Sequence, residues 1–440
     1  MSTSRRNFFQ RAAIFGASVF GLSARLNAVF SAEPTQNDNA RVRRASTNPA
    51  PAVSVPMVTP DVPDCPFELD GAVKVFRLKA APLKKKIVPF KTIDAWGYNG
   101  TTPGPTIQVT QGDRVRIHVE NKLPESTSMH WHGLEVPIEQ DGVPFISQKP
   151  IAPRETYTYE FTVHQEGTFF YHAHSAMQEM IGLIGLFIAQ PRVPYAPPVQ
   201  HDFGMVLQEW AVLPNNSVPN TANMEFNWLT MNGLCAPSTT PLIVRLGSRV
   251  RLRFVNLGID HHPIHLHGNQ FVITGTEGGR APESTWYPSN TVLVGVAQAK
   301  VIEFDAKYPG AWMIHCHLPH HMMNSMTDLL AGRPIPTSAS NDAQAMSQMA
   351  TMSRDLGIEH MHHSPVADDA NSVPGFPQDA FMEMPMDTLV DKPETHGLPP
   401  NWSAGMMGMM TIVRVLPDDQ YNEIQRLIGE RRSSHSDLSV

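Results

Sequence analysis

The stretch PTIQVTQGDRVRIHVENKLP (residues 105–124) has a counterpart later in the chain, PLIVRLGSRVRLRFVNLG (residues 241–258), and this repeat decides the fold. Each copy contains an apolar run, a turn at Gly112 or Gly247, and a stretch in which apolar and polar residues alternate. Alternation with a period of two predicts β-strands that are buried on one face. Two similar copies, built from short strands and Gly/Pro turns, predict an all-β chain with two β-sandwich domains.

The repeat continues into two further pairs of motifs. HWHG (130–133) and HLHG (265–268) each begin 18 residues after the glycine of the turn. EGTFFYHAH (166–174) then parallels PGAWMIHCH (309–317), and the first histidine comes five positions after the glycine in both copies. The spacing therefore places equivalent histidine motifs at equivalent points of the two domains.

The second copy contains an insertion. MIGLIGLFIAQP (180–191) resembles GMMGMMTIVRVLP (405–417), which leaves residues 331–401 as an extra segment rich in Pro, Ser, Asp, Met and His. We expect a long loop with one short helix near 341–356, and loops of this length are usually functional or disordered. A final helix over about 418–432 is predicted because Asp lies near its start and Arg near its end.

The other segments complete the expected organisation of the 440 residues. Arg5 and Arg6 precede Asn-Phe-Phe and a short apolar run, a pattern typical of a twin-arginine export signal, so we expect a periplasmic or otherwise exported protein with no membrane span. The net charge of −7 and the lack of a dense Lys/Arg patch argue against nucleic acid as a partner. The expected segments are a signal peptide (1–32), a linker (33–64), domain 1 (65–195), domain 2 (196–330 with 402–418), the insertion (331–401) and a helix with tail (419–440).

Paired histidines carry the chemistry. Residues i and i+2 of a strand face the same way, so an H-x-H pair offers two imidazoles on one face. Eight imidazoles exceed what one tetrahedral ion uses, and they predict a cluster of metal ions between the two kinds of domain. The four pairs are His130/His132, His172/His174, His265/His267 and His315/His317.

Cys316, between the last two histidines, must point to the opposite face of its strand, where it can bind a different metal ion. A blue copper site needs two histidines, a cysteine and a weak axial methionine. His262 and His321 supply the imidazoles and Met326 the thioether. His320 remains an alternative to His321, and Met406 or Met407 an alternative to Met326.

HWHG, YHAH, HPIHLHG and HCHLPHHMMNSM are similar to the four copper motifs of multicopper oxidases. The resemblance implies cupredoxin-like Greek-key domains and four copper ions per chain, which reduce dioxygen to water with electrons from a donor. By motif position it implies type 1 ligands (His262, Cys316, His321, Met326), type 2 ligands (His130, His265) and type 3 ligands (His132, His172, His174, His267, His315, His317).

Only 87 residues separate His174 from His262, so the middle domain of three-domain relatives is missing. The chain resembles the small two-domain laccases, and this implies a homotrimer with the trinuclear site between subunits. Domain 1 has Thr127, Ala173 and Gln178 at the positions of the type 1 ligands, and we expect no type 1 copper there.

These patterns predict an exported oxidase whose electron donor is a phenolic or aromatic molecule or a metal ion. By resemblance, Asp141 is the acid that delivers protons to the cluster; the alternative is a turn residue. A copper nitrite reductase, a cuprous oxidase for copper tolerance and a copper-storage protein are the competing functions. Whether Cys65 and Cys235 form a disulfide stays open.

Overall fold

The structure, a computed structural model, describes residues 55–212, 216–222, 226–322 and 386–436. The expected signal peptide, the helix near 341–356 and Met326 lie outside the described residues. Within these ranges, no helix is long and apolar enough to cross a lipid bilayer.

The first half of the chain forms two sheets that pack around one apolar core, here called the first sandwich. One sheet contains β1 (Phe67–Asp70), β2 (Val73–Val88), β3 (Lys91–Tyr98), β5 (Arg114–Asn121) and β7 (Thr156–Thr162). The other, in the order β4-β9-β8-β6, contains β4 (Gly104–Thr110), β6 (His130–His132), β8 (Gly167–His172) and β9 (Ile184–Gln190).

The second half repeats this plan as the second sandwich. Its larger sheet contains β10 (His201–Trp210), β11 (Trp228–Met231), β13 (Arg249–Asn256), β15 (Phe271–Thr276), β16 (Gly279–Arg280), β17 (Tyr287–Ser289) and β19 (Ala299–Asp305). The smaller sheet, in the order β12-β21-β20-β14-β18, contains β12 (Leu242–Arg245), β14 (His262–Leu266), β18 (Thr291–Val294), β20 (Gly310–Cys316) and β21 (Met410–Leu416).

Helical structure is sparse in the described part of the chain. The α-helices are α1 (Ala176–Met180) and α2 (Asp418–Ser436), and the second confirms the predicted final helix. Short 3-10 segments cover Ile138–Gln140, Glu283–Thr285, Pro319–Met322, Pro393–Thr395 and Trp402–Gly405. The prediction of an all-β chain with two sandwiches and a short final helix is confirmed.

The alternating pattern correctly predicts which residues of β5 and β13 face the two cores. The apolar positions of β5 and β13 are all buried in the two cores: Val115, Ile117, Val119, Val250, Leu252 and Phe254. In β5 the intervening polar residues are partly exposed, as a half-buried strand requires. The prediction of a half-buried strand is therefore confirmed for β5.

In β13 the same prediction is wrong, because both faces of the strand are buried. Arg251 and Arg253 are only 4% and 2% exposed. Arg253 Nε and Nη2 donate to the two carboxylate oxygens of Asp202 at 2.7 and 2.8 Å, and Nη1 donates to Thr168 Oγ1 of the first sandwich at 2.9 Å. The first sandwich covers the polar face of β13, and paired charges make that burial tolerable.

Apolar contacts join the two sandwiches beside these charges. One buried cluster combines residues of β8 and β9 with residues of β10, β13 and β19: Phe170, Ile184, Leu186, Ile188, Val206, Val255 and Ala299. Met57 lies in the same cluster, and Val58 pairs with Phe203. The last residues of the expected linker therefore pack onto the sandwiches.

The chain re-enters the described region at Met386, which is buried and whose N–H donates to Ser403 Oγ at 2.9 Å. Lys392 Nζ then donates to Asp61 Oδ1 at 2.8 Å and to the Ser238 carbonyl at 2.7 Å. These contacts fix the end of the expected insertion against the second sandwich.

The buried ion pair between Arg253 and Asp202 leads to a prediction about stability. Asp202→Asn should lower the free energy of unfolding by about 3–5 kcal/mol, because it leaves Arg253 buried without its counter-charge. Asp70→Asn is the matched control, since Asp70 pairs with Arg116 at the surface and exposed pairs stabilise little. Urea denaturation of both variants measures the difference; equal, small shifts would contradict the prediction.

Candidate metal centres

Three buried side chains of the second sandwich bring metal-binding atoms together. His262 begins β14, Cys316 ends β20, and His321 lies in the 3-10 segment Pro319–Met322. The Nδ1 atoms of His262 and His321 are 3.2 Å apart, and Cys316 Sγ lies 3.6 Å and 3.3 Å from them, respectively. We call this trio the His-Cys-His site.

The size and protonation of this trio fit one metal ion. An ion that binds nitrogen at about 2.0 Å and sulfur at about 2.3 Å holds such atoms about 3.3–3.8 Å apart. Burial lowers the pKa of His321 to about 3, helped by His262 and His320, so its ring is neutral and able to ligate. Burial raises the pKa of Cys316 to about 12, and a bound ion would displace that proton because the thiolate is the metal ligand. A buried His₂Cys set is typical of blue copper sites.

A buried carboxylate orients His262, and sequence reasoning missed it. His262 Nε2 donates to Glu209 Oε2 at 3.2 Å, and both side chains are fully buried. Glu209 also accepts from the backbone N–H groups of Ile259 and Asp260, and a Cβ on Gly258 would lie 1.8 Å from the carboxylate. A partner of this kind fixes the tautomer and orientation of a metal-binding ring. The signal that could have revealed Glu209 in the sequence is an acidic residue within the apolar strand MVLQEW (205–210).

Four histidines of the first sandwich form a second cluster, the first half-site. Their rings surround His130, whose centroid lies 5.6, 5.4 and 5.5 Å from those of His132, His172 and His174. His130 Nδ1 donates to the Asp141 carbonyl at 2.7 Å, which leaves Nε2 available to a metal ion. Burial, with the nearby His172 and His130, lowers the pKa of His132 to about 4, so this ring is neutral at pH 7.

His172 is held by an acid that the sequence did not reveal. Its Nδ1 donates to the Ala173 carbonyl at 2.9 Å and lies 3.2 Å from Glu179 Oε2. Burial is the largest single effect and opposes protonation of His172, but the hydrogen bond and charge of Glu179, together with the Ala173 carbonyl, outweigh it and raise the pKa. His172 Nε2 lies 3.4 Å from His132 Nδ1, so the two nitrogens converge at the spacing of ligands to one ion.

The second half-site repeats this arrangement in the second sandwich. The ring of His265 lies 4.8, 5.7 and 5.6 Å from those of His267, His315 and His317. His265 Nδ1 donates to the Asn290 carbonyl at 2.7 Å, as His130 does to Asp141. His267 Nε2 and His315 Nε2 lie 3.0 Å apart. Every ring contact among these eight histidines joins members of the same half-site.

The first sandwich has a counterpart of the His-Cys-His site in which no residue suits a metal. Thr127 Oγ1 donates to Gln178 Oε1 at 2.7 Å, and both residues are buried, as is Ala173. Gln178 Nε2 donates to the Ser126 carbonyl at 2.8 Å. A neutral hydrogen bond therefore stands where the second sandwich has the His-Cys-His site.

The remaining predictions concern the axial methionine of the His-Cys-His site and the other two cysteines. Met326 lies outside the described residues, so the axial position is untested; Met406 is buried in a separate apolar cluster with Met410. The backbone of Met409 accepts from Cys316 N at 3.0 Å and donates to the His321 carbonyl at 2.9 Å. Cys65 and Cys235 are buried free thiols.

Comparisons with known proteins identify relatives of this chain. Two family models, both described as multicopper oxidase, match residues 83–193 and 211–333 and together cover more than half of the chain. The chain is similar to laccase-2 of Botryotinia fuckeliana, with 33% identity over 246 residues that make up 50% of this chain and 42% of the relative. It is also similar to copper resistance protein A of Escherichia coli, with 41% identity over 112 residues, 26% of this chain and 18% of the relative.

The fold has counterparts among solved structures. The blue copper oxidase from Nitrosomonas europaea matches 57% of this chain and 81% of its own, with 29% sequence identity and a TM-score of 0.53. A multicopper oxidase named mgLAC matches the same shares with 28% identity and a TM-score of 0.54. The chain spans less than half the length of the curated relatives it matches.

The Thr127–Gln178 pair, which stands where the second sandwich has the His-Cys-His site, leads to a prediction. Substituting Thr127→His, Ala173→Cys and Gln178→His together should create a second His-Cys-His site, because the three positions are equivalent in the repeat to the trio and Thr127 already contacts Gln178. Copper content should rise by one ion per chain, and the thiolate–copper absorption should be about twice that of the parent. The matched control keeps Ala173 and carries only the two histidines. An absorption no greater than that of this control would contradict the equivalence.

Proposed function

Because the chain belongs to the multicopper oxidase family, we propose that it is a laccase-type enzyme that couples one-electron oxidation of a donor to the four-electron reduction of dioxygen to water. One observation carries the proposal: Cys316, in the His-Cys-His site, is bonded on either side to His315 and His317 of a histidine half-site. Copper is the metal that the family implies. We propose four copper ions per chain, held by His262, Cys316, His321 and Met326 and by the eight paired histidines.

Bound copper would supply the redox chemistry, by taking single electrons from the donor and delivering four to dioxygen. The residues of the chain provide the surroundings. Burial excludes water from Cys316 and His321, and Glu209 holds His262 with its Nδ1 turned toward the sulfur. Asp141 lies with Oδ1 3.4 Å from His130 Nδ1, close enough to deliver protons to the half-site through solvent, and we propose this role for it.

Assembly and location belong to the same proposal. Neither half-site alone has enough imidazoles for three ions, and the rings of the two half-sites make no contact within the described chain. We propose that the first half-site of one subunit meets the second half-site of the next in a homotrimer, since closed rings satisfy every such interface. The arginine pair at Arg5 and Arg6 supports export to the periplasm.

Phenols and aromatic molecules are the donors we propose first, by analogy with the laccases. One observation favours a metal-ion donor, such as Cu(I), as the second candidate. Asp260, His320 and His321 offer ligand atoms within 4.8 Å of one another, and Asp260 Oδ2 lies 3.5 Å from His321 Nε2. Asp260 is partly exposed, so an incoming cation has access to its carboxylate.

A copper nitrite reductase is less well supported. That function needs a type 1 cysteine in the first domain, where this chain has Ala173. The buried Thr127–Gln178 hydrogen bond fills the same space.

Substituting Cys316→Ser tests the central proposal. The variant should lose the intense red-region absorption of a thiolate–copper bond, one copper ion per chain and its donor oxidation. The half-sites should still bind copper because His315 faces away from Cys316 on β20 and the first half-site lies on strands of the other sandwich. Cys65→Ser, another buried free thiol, is the control and should stay blue. An unchanged colour or full activity in Cys316→Ser would refute the assignment.

A separate measurement decides between the donors. If a metal ion binds at Asp260 and His320, the variant His320→Gln should lower kcat/KM for Cu(I) or Fe(II) about tenfold relative to a phenolic dye, a difference of about 1.4 kcal/mol. His164→Gln, an exposed histidine of the first sandwich, is the control. Equal loss on both donors, or none, would leave phenols as the supported class.

A further inference from the structure

The first half-site lies at a sheet edge, and the second lies one strand in from a sheet edge. β6, which carries His130 and His132, is the last strand in the order β4-β9-β8-β6. β14, which carries His265, is covered on its outer side only by the edge strand β18. Sheet edges present unpaired backbone groups and are common sites of association with another chain.

Beside the first half-site stands a loop with an apolar tip. Phe145 and Ile146 are 88% and 81% exposed, the two largest values among the exposed apolar side chains of the described residues. The loop is ordered by its own hydrogen bonds: Phe145 N donates to the Gln148 carbonyl at 2.8 Å, and Val143 N donates to Ser147 Oγ at 2.7 Å. Phe145 is held at a φ of 65°, which a non-glycine residue rarely adopts. We call these two side chains the loop patch.

The loop patch is connected to the first half-site through Asp141 and Gly142. The carbonyl of Asp141 accepts from His130, and the Cα of Phe145, four residues later, lies within about 14 Å of the Cα of Asp141 because of the length of the chain between them. Gly142 packs so tightly on β6 that an added Cβ would lie 1.7 Å from the Met129 carbonyl oxygen. The loop therefore starts in contact with the strand that carries His130.

A second apolar patch lies beside the second half-site. In the β14–β18 pair, His265 is opposite Thr291 and Pro263 is opposite Leu293. Alternation puts Pro263, His265, Thr291 and Leu293 on one face of the sheet, and diagonal neighbours such as His265 and Leu293 lie about 7–8 Å apart. Leu293 is 57% exposed. We call Leu293 and Pro263 the strand patch.

We propose that the loop patch of one subunit packs on the strand patch of the next copy of this chain, and that this contact brings the two half-sites together. The inference rests on the proposed function, because the occupant is a second copy only if the half-sites complete each other. Each patch flanks one incomplete half-site, so joining unlike patches joins unlike half-sites. Unlike patches make a head-to-tail interface, the kind that closes into a ring. An exposed aromatic tip suits the centre of such an interface.

The proposal is tested with the copper-loaded full chain by sedimentation velocity. Phe145→Lys and Leu293→Glu, made separately, should each convert the assembly to monomers, because each places a charge in an apolar contact. Their double variant should reassemble, since the lysine then meets the glutamate across every interface. Leu69→Glu is the control: Leu69 is 67% exposed on β1, outside both half-sites, and this variant should stay assembled.

A measurement of copper content distinguishes failure of the proposed interface from failure of the proposed function. In the monomeric single variants the red absorption per chain should persist, because the His-Cys-His site is internal to one subunit, while copper bound to the half-sites should fall. Single variants that stay assembled, or a double variant that stays monomeric, would overturn the proposed contact. A parent that is monomeric and instead floats with anionic phospholipid vesicles would make the loop patch a membrane contact and would also overturn it. A parent that assembles as described but binds no copper would refute the proposed function and leave the contact standing.

Discussion

Successive side chains of a β-strand point to opposite faces, and at the end of β20 this constraint separates two kinds of candidate metal ligand. Cys316 enters the core of the second sandwich and meets His262 and His321, whereas His315 turns to the half-site beside His267. The two centres are thus joined by peptide bonds and still kept apart in space. On one side of this strand the Glu209 carboxylate holds His262, and on the other side the β14–β18 pair holds His265.

The two sandwiches show how a repeat diverges while its backbone is kept. His130 and His265 use the same ring nitrogen to donate to a backbone carbonyl, and His172 and His315 both donate to the carbonyl of the following residue. The opposite face differs, since a threonine–glutamine hydrogen bond takes the place of the His-Cys-His trio. Such a bond is neutral and fully paired, and it therefore keeps the first core stable without an ion.

Local pattern was enough to predict the strands and the grouping of the histidines, because alternation and H-x-H spacing are properties of a single strand. It failed where distant segments meet. Nothing in β13 itself signals that Arg251 and Arg253 are buried, because their cover comes from the first sandwich and their counter-charges from Asp202 and Glu303. Glu209 was missed for the same reason: its partner His262 lies 53 residues later. In the sequence Phe145 looks like any other apolar residue, and only the structure shows that its loop leaves the side chain exposed.

Under the proposed function, Glu209 has a consequence for electron transfer. Its carboxylate is clamped by two backbone N–H groups and by the close approach of Gly258, so the His262 ring has one orientation before any ion arrives. His321 and Cys316 are likewise confined by a full core. A site whose ligands are fixed by the polypeptide resists the change in shape that each oxidation state of a metal prefers. Electron transfer through such a rigid cage requires little reorganisation of nuclei, and low reorganisation favours rapid exchange with successive donors.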